Sequence, residues 1–191
     1  FPKYEKRLLN KDELRQFPSY FGLDYGYVND PSAFIHCKID AKNKKLYIIE
    51  EYVKTGMLND EIAEIIKRLG YSKEEIFADS AEQKSIAEMR KLGIERIKPA
   101  QKGKGSIMQG LQFLMQFDIV IDERCFKTIE EFDNYTWKKD KNTDEYMNEP
   151  VDTYNHCIDS LRYSCSKFYK QKPKKKAPLK ESINTIKAMG L

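Results

Sequence analysis

The sequence lacks the patterns that mark several common classes of protein. Its four cysteines form no CxxC pair and it has two histidines, which argues against a structural zinc site and a disulfide framework. We expect the cysteines to be small core residues in a reducing compartment. No apolar run approaches the roughly 20 residues that a membrane-spanning helix requires, so a membrane protein is not expected. No GxxxxGK(S/T) motif occurs, because GKGS at residues 103–106 lacks the upstream glycine.

Charge is distributed unevenly along the 191 residues. Residues 167–191 carry eight Lys and one Glu, a net charge of +7, so residues 1–166 carry −3 of the total of +4. A mildly acidic domain with a basic tail fits a site of clustered carboxylates and a separate phosphate-binding segment. A solvated linker is the alternative reading of the tail.

Hydrophobic patterns divide the chain into one domain with an extension at each end. Residues 1–18 are charged and without clear periodicity, which predicts a linker, and residues 170–191 are the basic C-terminal tail. Residues 19–169 are predicted to form the domain. Its first part reads as an antiparallel meander of three strands, expected at residues 20–26, 32–40 and 44–54.

After Gly56 the pattern changes to helices and strands in alternation. Short strands are expected at residues 74–79, 94–100 and 118–122, with helices between them, which predicts a parallel continuation of the sheet. Residues 136–150 read as a loop or short hairpin, and a last helix is expected to begin at Pro150 and Val151. This order predicts an α/β domain with an RNase H-like fold, a mixed central sheet of three antiparallel and then parallel strands flanked by helices.

Three aspartates occupy positions where this fold would bring acidic oxygens together. Asp24 follows an apolar strand start, Asp79 closes a short strand, and Asp159 lies inside the last helix. Two-metal hydrolysis of a phosphodiester needs such clusters, because two divalent ions about 4 Å apart bridge the phosphate, activate water and stabilise the leaving oxygen. Magnesium and manganese prefer oxygen ligands. The sequence therefore predicts a Mg²⁺ or Mn²⁺ site at these aspartates, with two ions once substrate is bound.

Neighbouring polar residues fit this site, and simpler readings compete with it. In the expected last helix one face carries four polar side chains: Asp152, Asn155, His156 and Asp159. Asp24 is alternatively a turn residue before a glycine, Asp79 a cap of the next helix, and Asp159 a partner of Arg162. Two glutamates at the end of the third strand, Glu50 and Glu51, read as edge-strand charges or as further members of the site.

Two groups of lysines are predicted to contact DNA phosphates. The first surrounds the glycines of a loop directly before a helix N-terminus, an arrangement suited to an anion: Lys98, Lys102 and Lys104. The second flanks Trp137 in the predicted hairpin: Lys138, Lys139 and Lys141. The alternatives are a solvated loop for the first group and a core anchor for Trp137.

Several strings resemble the C-terminal nuclease domain of the large terminase subunit of tailed bacteriophages. They cover most of residues 20–169 and read FGLDYGYVNDPSAF, FADSAEQKSIAEMRKLG, IKPAQKGKGSIMQGLQFL and the run from YTWKKD through EPVDTYNHCIDSLRY. The most specific is the succession Pro, Asp, AsnHis, Asp, ArgTyr within residues 150–163. The GlyLysGly loop before Ser106 comes next.

The resemblance implies an RNase H-like, metal-dependent endonuclease that cuts concatemeric viral DNA during packaging into a procapsid. Its acidic triad falls on Asp24, Asp79 and Asp159. His156 matches the AsnHis position of the family, where it would assist at the metal or orient a ligand. Some relatives have Glu at the second position, where this chain has Asp79, a change of reach but not of chemistry.

The resemblance also implies partners. These are double-stranded DNA, an ATPase motor domain in the full-length protein, the small terminase subunit and the portal, in the host cell cytoplasm and without a membrane. Because the chain has no GxxxxGK(S/T) motif, we expect an isolated nuclease domain that does not hydrolyse ATP alone. The alternatives are a non-catalytic module that docks the packaging motor on portal or DNA, and another RNase H-like nuclease such as a junction resolvase.

Overall fold

The computed structural model describes residues 3–168 except residues 27, 28, 141, 142 and 144. The predicted basic tail at residues 170–191 lies outside this part of the chain. The described elements, in chain order, are β1 Tyr4–Arg7, β2 Ser19–Asp24, β3 Pro31–Asp40, β4 Lys45–Thr55, α1 Asn59–Arg68, β5 Ile76–Ala78, α2 Gln83–Lys91, β6 Ile97–Pro99, α3 Ser106–Leu114, β7 Asp118–Asp122, α4 Phe126–Asn134, β8 Trp137–Lys139, β9 Tyr146–Pro150 and α5 His156–Ser164.

Seven of the strands form one mixed sheet in the order β1-β7-β4-β3-β2-β5-β6. The predicted meander is present, since β2 pairs antiparallel with β3 and β3 with β4. The outer strands continue the sheet in parallel on both sides. Strands β8 and β9 form the predicted hairpin. The α/β fold with a mixed sheet flanked by helices is thus confirmed.

The N-terminal segment differs from the predicted linker. Residues 4–7 form the edge strand β1 beside β7, and Leu9 and Leu14 are buried against the sheet. The strand has the sequence YEKR, and its three charged side chains are exposed. A charged edge strand carries no apolar alternation, which is why periodicity did not reveal it. The proposed division of the chain into domains stays a prediction.

Apolar clusters cover both faces of the sheet. One lies between β3, β4, β7 and helices α3, α4 and α5, and the other between β2, β5, β6 and helices α1 and α2. All four cysteines are free and buried, as predicted: Cys37, Cys125, Cys157 and Cys165. No helix within residues 3–168, as far as they are described, is long and apolar enough to cross a membrane.

The last helix is shorter than the sequence predicts. It begins at His156 rather than Pro150, because Tyr154 has a positive φ of 55°, a left-handed conformation that a helix cannot contain. Asp152 therefore precedes the helix, with a side chain 85% exposed that pairs with Lys138. The predicted polar face of four residues is wrong for Asp152. Asn155 occupies the N-cap position, and His156 and Asp159 lie within the helix.

Candidate metal centre

The register of β2 and β5 brings Asp24 and Asp79 to the same edge of the sheet. The two strands are parallel, and Leu23 lies opposite Ala78. The next residue of each strand is an aspartate, and the Asp79 backbone N–H donates to the Leu23 carbonyl at 3.2 Å. Neighbouring parallel strands that end together in carboxylates are the geometry that the sequence predicts.

Helix α5 adds Asp159 because it packs directly on β2. A Cβ atom on Gly22 would lie 1.8 Å from the backbone carbonyl oxygen of Ser160, so only glycine permits this approach of helix and strand. Gly22 is two residues before Asp24, and Ser160 follows Asp159. The close contact therefore sets the distance between the two aspartates.

Burial, with a smaller effect of the neighbouring carboxylates, changes the protonation of Asp24. Burial, together with the negative charges of Asp159 and Asp79, raises the pKa of Asp24 to about 6, against the lowering effect of its hydrogen bond to His156. The His156 Nδ1 lies 3.1 Å from the Asp24 Oδ2, and this hydrogen bond raises the pKa of His156. Like charges in a partly desolvated cluster favour the entry of a cation.

Asp79 is held by three hydrogen-bond donors. Its Oδ1 accepts from the backbone N–H of Ala81 at 2.8 Å and from the ammonium of Lys102, while its Oδ2 accepts from the Tyr163 hydroxyl at 3.3 Å. The alternative interpretation of Asp79 as a helix cap is therefore correct in part, because the Asp79 carboxylate closes the turn that leads into α2. That helix begins at Gln83, not at Ser80.

Asp159 also has the partner that its simpler reading proposes. Its Oδ1 accepts from Nε of Arg162 at 3.0 Å and from Nη2 at 2.6 Å. The Arg162 side chain is only 4% exposed. An ion pair within one helix turn thus coexists with the position of Asp159 beside the other two aspartates.

These ion pairs occupy the candidate site. In the described part of the chain, no group of three or more His, Cys, Asp or Glu side chains stands in an arrangement that could hold a metal ion. Asp79 and Asp159 instead face the cations of Lys102 and Arg162. Carboxylates are nevertheless the ligands that a hard divalent cation prefers, and two of the three, Asp79 and Asp159, already pair with cations. The assignment of metal ligands stays a prediction.

Glu50 and Glu51 do not join the aspartates but lie on the part of β4 that pairs with β3 alone, because the pairing of β4 with β7 ends at Ile48. Glu51 caps helix α4 by accepting from the backbone N–H groups of Lys127 at 2.9 Å and Thr128 at 2.7 Å. Glu50 accepts from the Tyr71 hydroxyl at 2.7 Å. Both glutamates therefore lie on a locally unpaired side of β4, as the edge-strand interpretation has it, and each has hydrogen-bond partners.

The predicted DNA-contacting lysines have different positions. Lys102 lies at Asp79, and Lys104 is exposed in the loop before α3. Lys98 pairs with Glu75, away from this loop. Lys138 pairs with Asp152 at 2.8 Å, and Lys139 lies 5.2 Å from the centre of the Tyr146 ring. Trp137 packs against the core, as its alternative reading has it, and Lys141 lies outside the described residues.

Sequence reasoning assigned no role to Tyr163 or Glu131, and it gave Arg162 only as the alternative partner of Asp159. Tyr163 and Arg162 each hold an aspartate, and spacing was the available signal, since Tyr163 lies four residues after Asp159 and seven after His156 on one helix face. Glu131 of α4 caps α5 by accepting from the Ile158 N–H at 3.0 Å. No sequence pattern pairs a glutamate with a helix 27 residues later.

Known proteins resemble the chain in both sequence and structure. The family model described as the terminase RNAseH like domain matches residues 24–167. The large terminase subunit of Bacillus phage SPP1 is 35% identical over 163 residues, 84% of this chain and 37% of the relative. The PBSX phage terminase large subunit of Bacillus subtilis (strain 168) is 32% identical over 152 residues, 77% of this chain and 34% of the relative.

A solved structure gives the same result. The nuclease domain of the SPP1 large terminase g2p, crystallised with bound Mn, superposes with a TM-score of 0.80 at 32% identity, covering 87% of this chain and 96% of that domain. The chain spans little more than a third of the length of the curated relatives, 37% and 34%, but nearly the whole of the solved domain. The chain belongs to the terminase RNase H-like domain family.

Proposed function

We propose that this chain is a divalent-metal-dependent DNA endonuclease that cuts concatemeric viral DNA during genome packaging. The observation that supports this proposal is that Asp24 and Asp79 follow paired residues of two parallel strands, while the charge of Asp159 on α5 helps to raise the pKa of Asp24. Its likeness to a Mn-bound terminase nuclease domain supports the same reaction.

Mg²⁺ or Mn²⁺ fits the three carboxylates, which would hold two ions when DNA is bound. Such ions, when bound, activate a water and stabilise the leaving oxygen of the phosphodiester. The chain contributes the geometry. His156 fixes the Asp24 carboxylate, and Arg162 fixes that of Asp159. Partial burial strengthens the charge interactions within the cluster.

DNA binding is proposed for the loop before α3. Lys104 is exposed there, and the Lys102 side chain is 38% exposed, so its ammonium can exchange Asp79 for a DNA phosphate. Gly105 adopts φ 80° at the N-cap of α3, which leaves the first backbone N–H groups of that helix to an anion. The hairpin lysines Lys138 and Lys139 are proposed to extend this surface.

A paired substitution tests the loop. The double variant Lys102→Ala and Lys104→Ala should bind duplex DNA more weakly at moderate salt and show a shallower dependence of affinity on salt. The matched control, Lys42→Ala with Lys73→Ala, removes two exposed lysines from the opposite end of the sheet and should bind as the wild type does. Equal binding by both double variants would contradict a role for the loop.

The partners of the reaction are part of the proposal. Because the chain matches little more than a third of the length of the curated relatives, which are large terminase subunits, we propose that it works within such a subunit, beside an ATPase motor. The small terminase subunit and the portal are the further proposed partners, in the host cell cytoplasm.

Nicking of supercoiled plasmid tests the enzyme. The wild-type chain should convert supercoiled DNA to open circles with Mn²⁺ or Mg²⁺, and chelation by EDTA should stop the reaction. The variants Asp24→Ala, Asp79→Ala and Asp159→Ala should be inactive, whereas Asp118→Ala, an exposed aspartate at the start of β7, should be active. Intact plasmid with the wild type would favour the non-catalytic docking module, and preferential cutting of four-way junctions would favour a junction resolvase.

A further inference from the structure

Each aspartate of the cluster receives a hydrogen bond from a different side chain of helix α5. His156 donates to Asp24 and Arg162 donates to Asp159 within the helix. The third donor, Tyr163, reaches across to Asp79 of the neighbouring segment, with its hydroxyl 3.3 Å from Oδ2. This bond connects the helix to the aspartate that is least constrained by regular structure, because Asp79 lies in the turn between β5 and α2.

The Tyr163 ring is fixed while its hydroxyl reaches the site. The residue is 4% exposed and packs in a small apolar cluster with Phe77 and Ala100, the first on β5 and the second just after β6. The Lys102 ammonium lies 5.3 Å from the ring centre and the Arg162 guanidinium 5.5 Å from it. A buried ring that packs in an apolar cluster and contacts two cations has little freedom, which restricts the position of its hydroxyl.

The two oxygens of Asp79 therefore have partners of different kinds. Oδ1 faces Lys102, an exposed side chain on a glycine-containing loop, which can leave when a divalent cation arrives. Oδ2 faces a buried tyrosine that cannot move without disturbing the core. Loss of Lys102 from Oδ1 leaves Tyr163 as the side chain that orients the carboxylate.

We infer that Tyr163 is a positioning residue that holds Asp79 in the orientation required to ligate the metal. The inference rests on the proposed metal-dependent nuclease function and deepens it, because it names a residue that acts on a ligand rather than on the metal or the DNA. Side chains that orient metal ligands change metal affinity about 10-fold to 100-fold when they are replaced. Tyr163 is expected at the lower end, since it donates one neutral hydrogen bond.

The variant Tyr163→Phe tests this, because it keeps the ring and removes only the hydroxyl. Calorimetric titration of the chain with Mn²⁺ should show affinity about tenfold weaker than in the wild type. Plasmid nicking at saturating DNA should slow at low Mn²⁺ and recover at high Mn²⁺, with the KM for DNA unchanged. A residue that only stabilised the fold would not give this dependence on metal concentration.

Tyr4→Phe is the matched control. Tyr4 donates its hydroxyl to Asp133 at 2.6 Å, so the change also removes a Tyr–Asp hydrogen bond, but on the edge strand β1. It should lower the thermal stability to a similar extent and leave Mn²⁺ affinity as in the wild type. Equal Mn²⁺ affinity of Tyr163→Phe and wild type would overturn the inference. A wild-type chain that binds no Mn²⁺ would instead overturn the proposed function.

Discussion

The polar groups at the two ends of strand β2 lie in contrasting environments. At its start, Ser19 belongs to a chain of hydrogen bonds, here named the His36 network: Ser19, His36, Tyr71, Glu50 and Lys11. The Ser19 hydroxyl lies 3.0 Å from Nε2 of His36, and Nδ1 of His36 lies 3.1 Å from the Tyr71 oxygen. At its other end, five residues after Ser19, Asp24 belongs to the aspartate cluster formed with Asp79 and Asp159.

The His36 network is internally satisfied. Tyr71 donates its proton to Glu50 at 2.7 Å, so its oxygen accepts from Nδ1–H of His36, and Nε2 accepts from Ser19. Lys11 donates to Glu50 at 2.9 Å and balances its charge. Burial lowers the pKa of His36 to about 4, which keeps the ring neutral and the hydrogen bonds in this order.

The carboxylates of the aspartate cluster also have hydrogen-bond partners, but their negative charges repel one another. Three carboxylates share a partly buried edge, and burial with mutual repulsion raises the pKa of Asp24 to about 6. The contrast indicates that the polar groups at one end of β2 stabilise the fold. Those at the other end destabilise it but attract a cation. Substitutions at the two ends should therefore separate stability from activity.

The largest effect is expected from Asp24→Asn. The change keeps the shape of the side chain but removes a proposed metal ligand, so plasmid nicking should fall by at least about a hundredfold. Stability in urea without metal should equal or exceed that of the wild type, because a buried negative charge and its repulsion are gone. A clear loss of stability would show that this end of β2 also serves the fold.

Gly22→Ala should lower both the stability of the fold and the nicking activity. The added Cβ would meet the Ser160 carbonyl at 1.8 Å, and backbone cannot yield as a flexible side chain does. We expect a loss of about 3 kcal/mol or more in the free energy of unfolding, with nicking lost as α5 moves from Asp24. Gly103→Ala, where a Cβ meets nothing within 4 Å, is the control and should unfold as the wild type does.

The sequence predicted much of this arrangement, for physical reasons that also explain its failures. Asp24 and Asp79 were predictable because apolar strands of the right type precede both, and parallel strands align their ends. The start of α5 was not, because a left-handed conformation is uncommon for a tyrosine and the residue type of Tyr154 does not predict it. No local pattern explains the glycine at position 22, because it is required by the close approach of Ser160, which is 138 residues later in the chain.

The pH dependence of stability should reveal the His36 network. The unfolded chain binds a proton on His36 below its ordinary pKa of 6.5, whereas the folded protein does so only below about 4. The contribution of the neutral His36 to the free energy of unfolding is therefore fully present above about pH 6.5. It is lost as the pH falls from 6.5 towards 4, by about 2 to 3 kcal/mol. Glu50 favours the charged ring, and Lys38 and Lys11 oppose it.

The variant His36→Gln isolates this contribution. Denaturant unfolding at several pH values should show a smaller loss between pH 6.5 and pH 4 than in the wild type, although carboxylates still titrate at the acidic end. Identical pH profiles for variant and wild type would show that His36 is not held neutral in the fold.

The smallest effect is expected from Tyr71→Phe, which removes the hydroxyl at the centre of the His36 network. Glu50 loses a donor and His36 loses an acceptor, so the free energy of unfolding should fall by about 1 to 2 kcal/mol. Mn²⁺-dependent nicking should equal that of the wild type, since the network lies at the end of β2 opposite Asp24.

Tyr52→Phe is the matched control, because Tyr52 packs against the same apolar cluster and its hydroxyl has no hydrogen-bond partner among the described residues. Reduced nicking in Tyr71→Phe at full Mn²⁺ saturation would mean that the two ends of β2 are coupled, and that stability and activity are not divided between them.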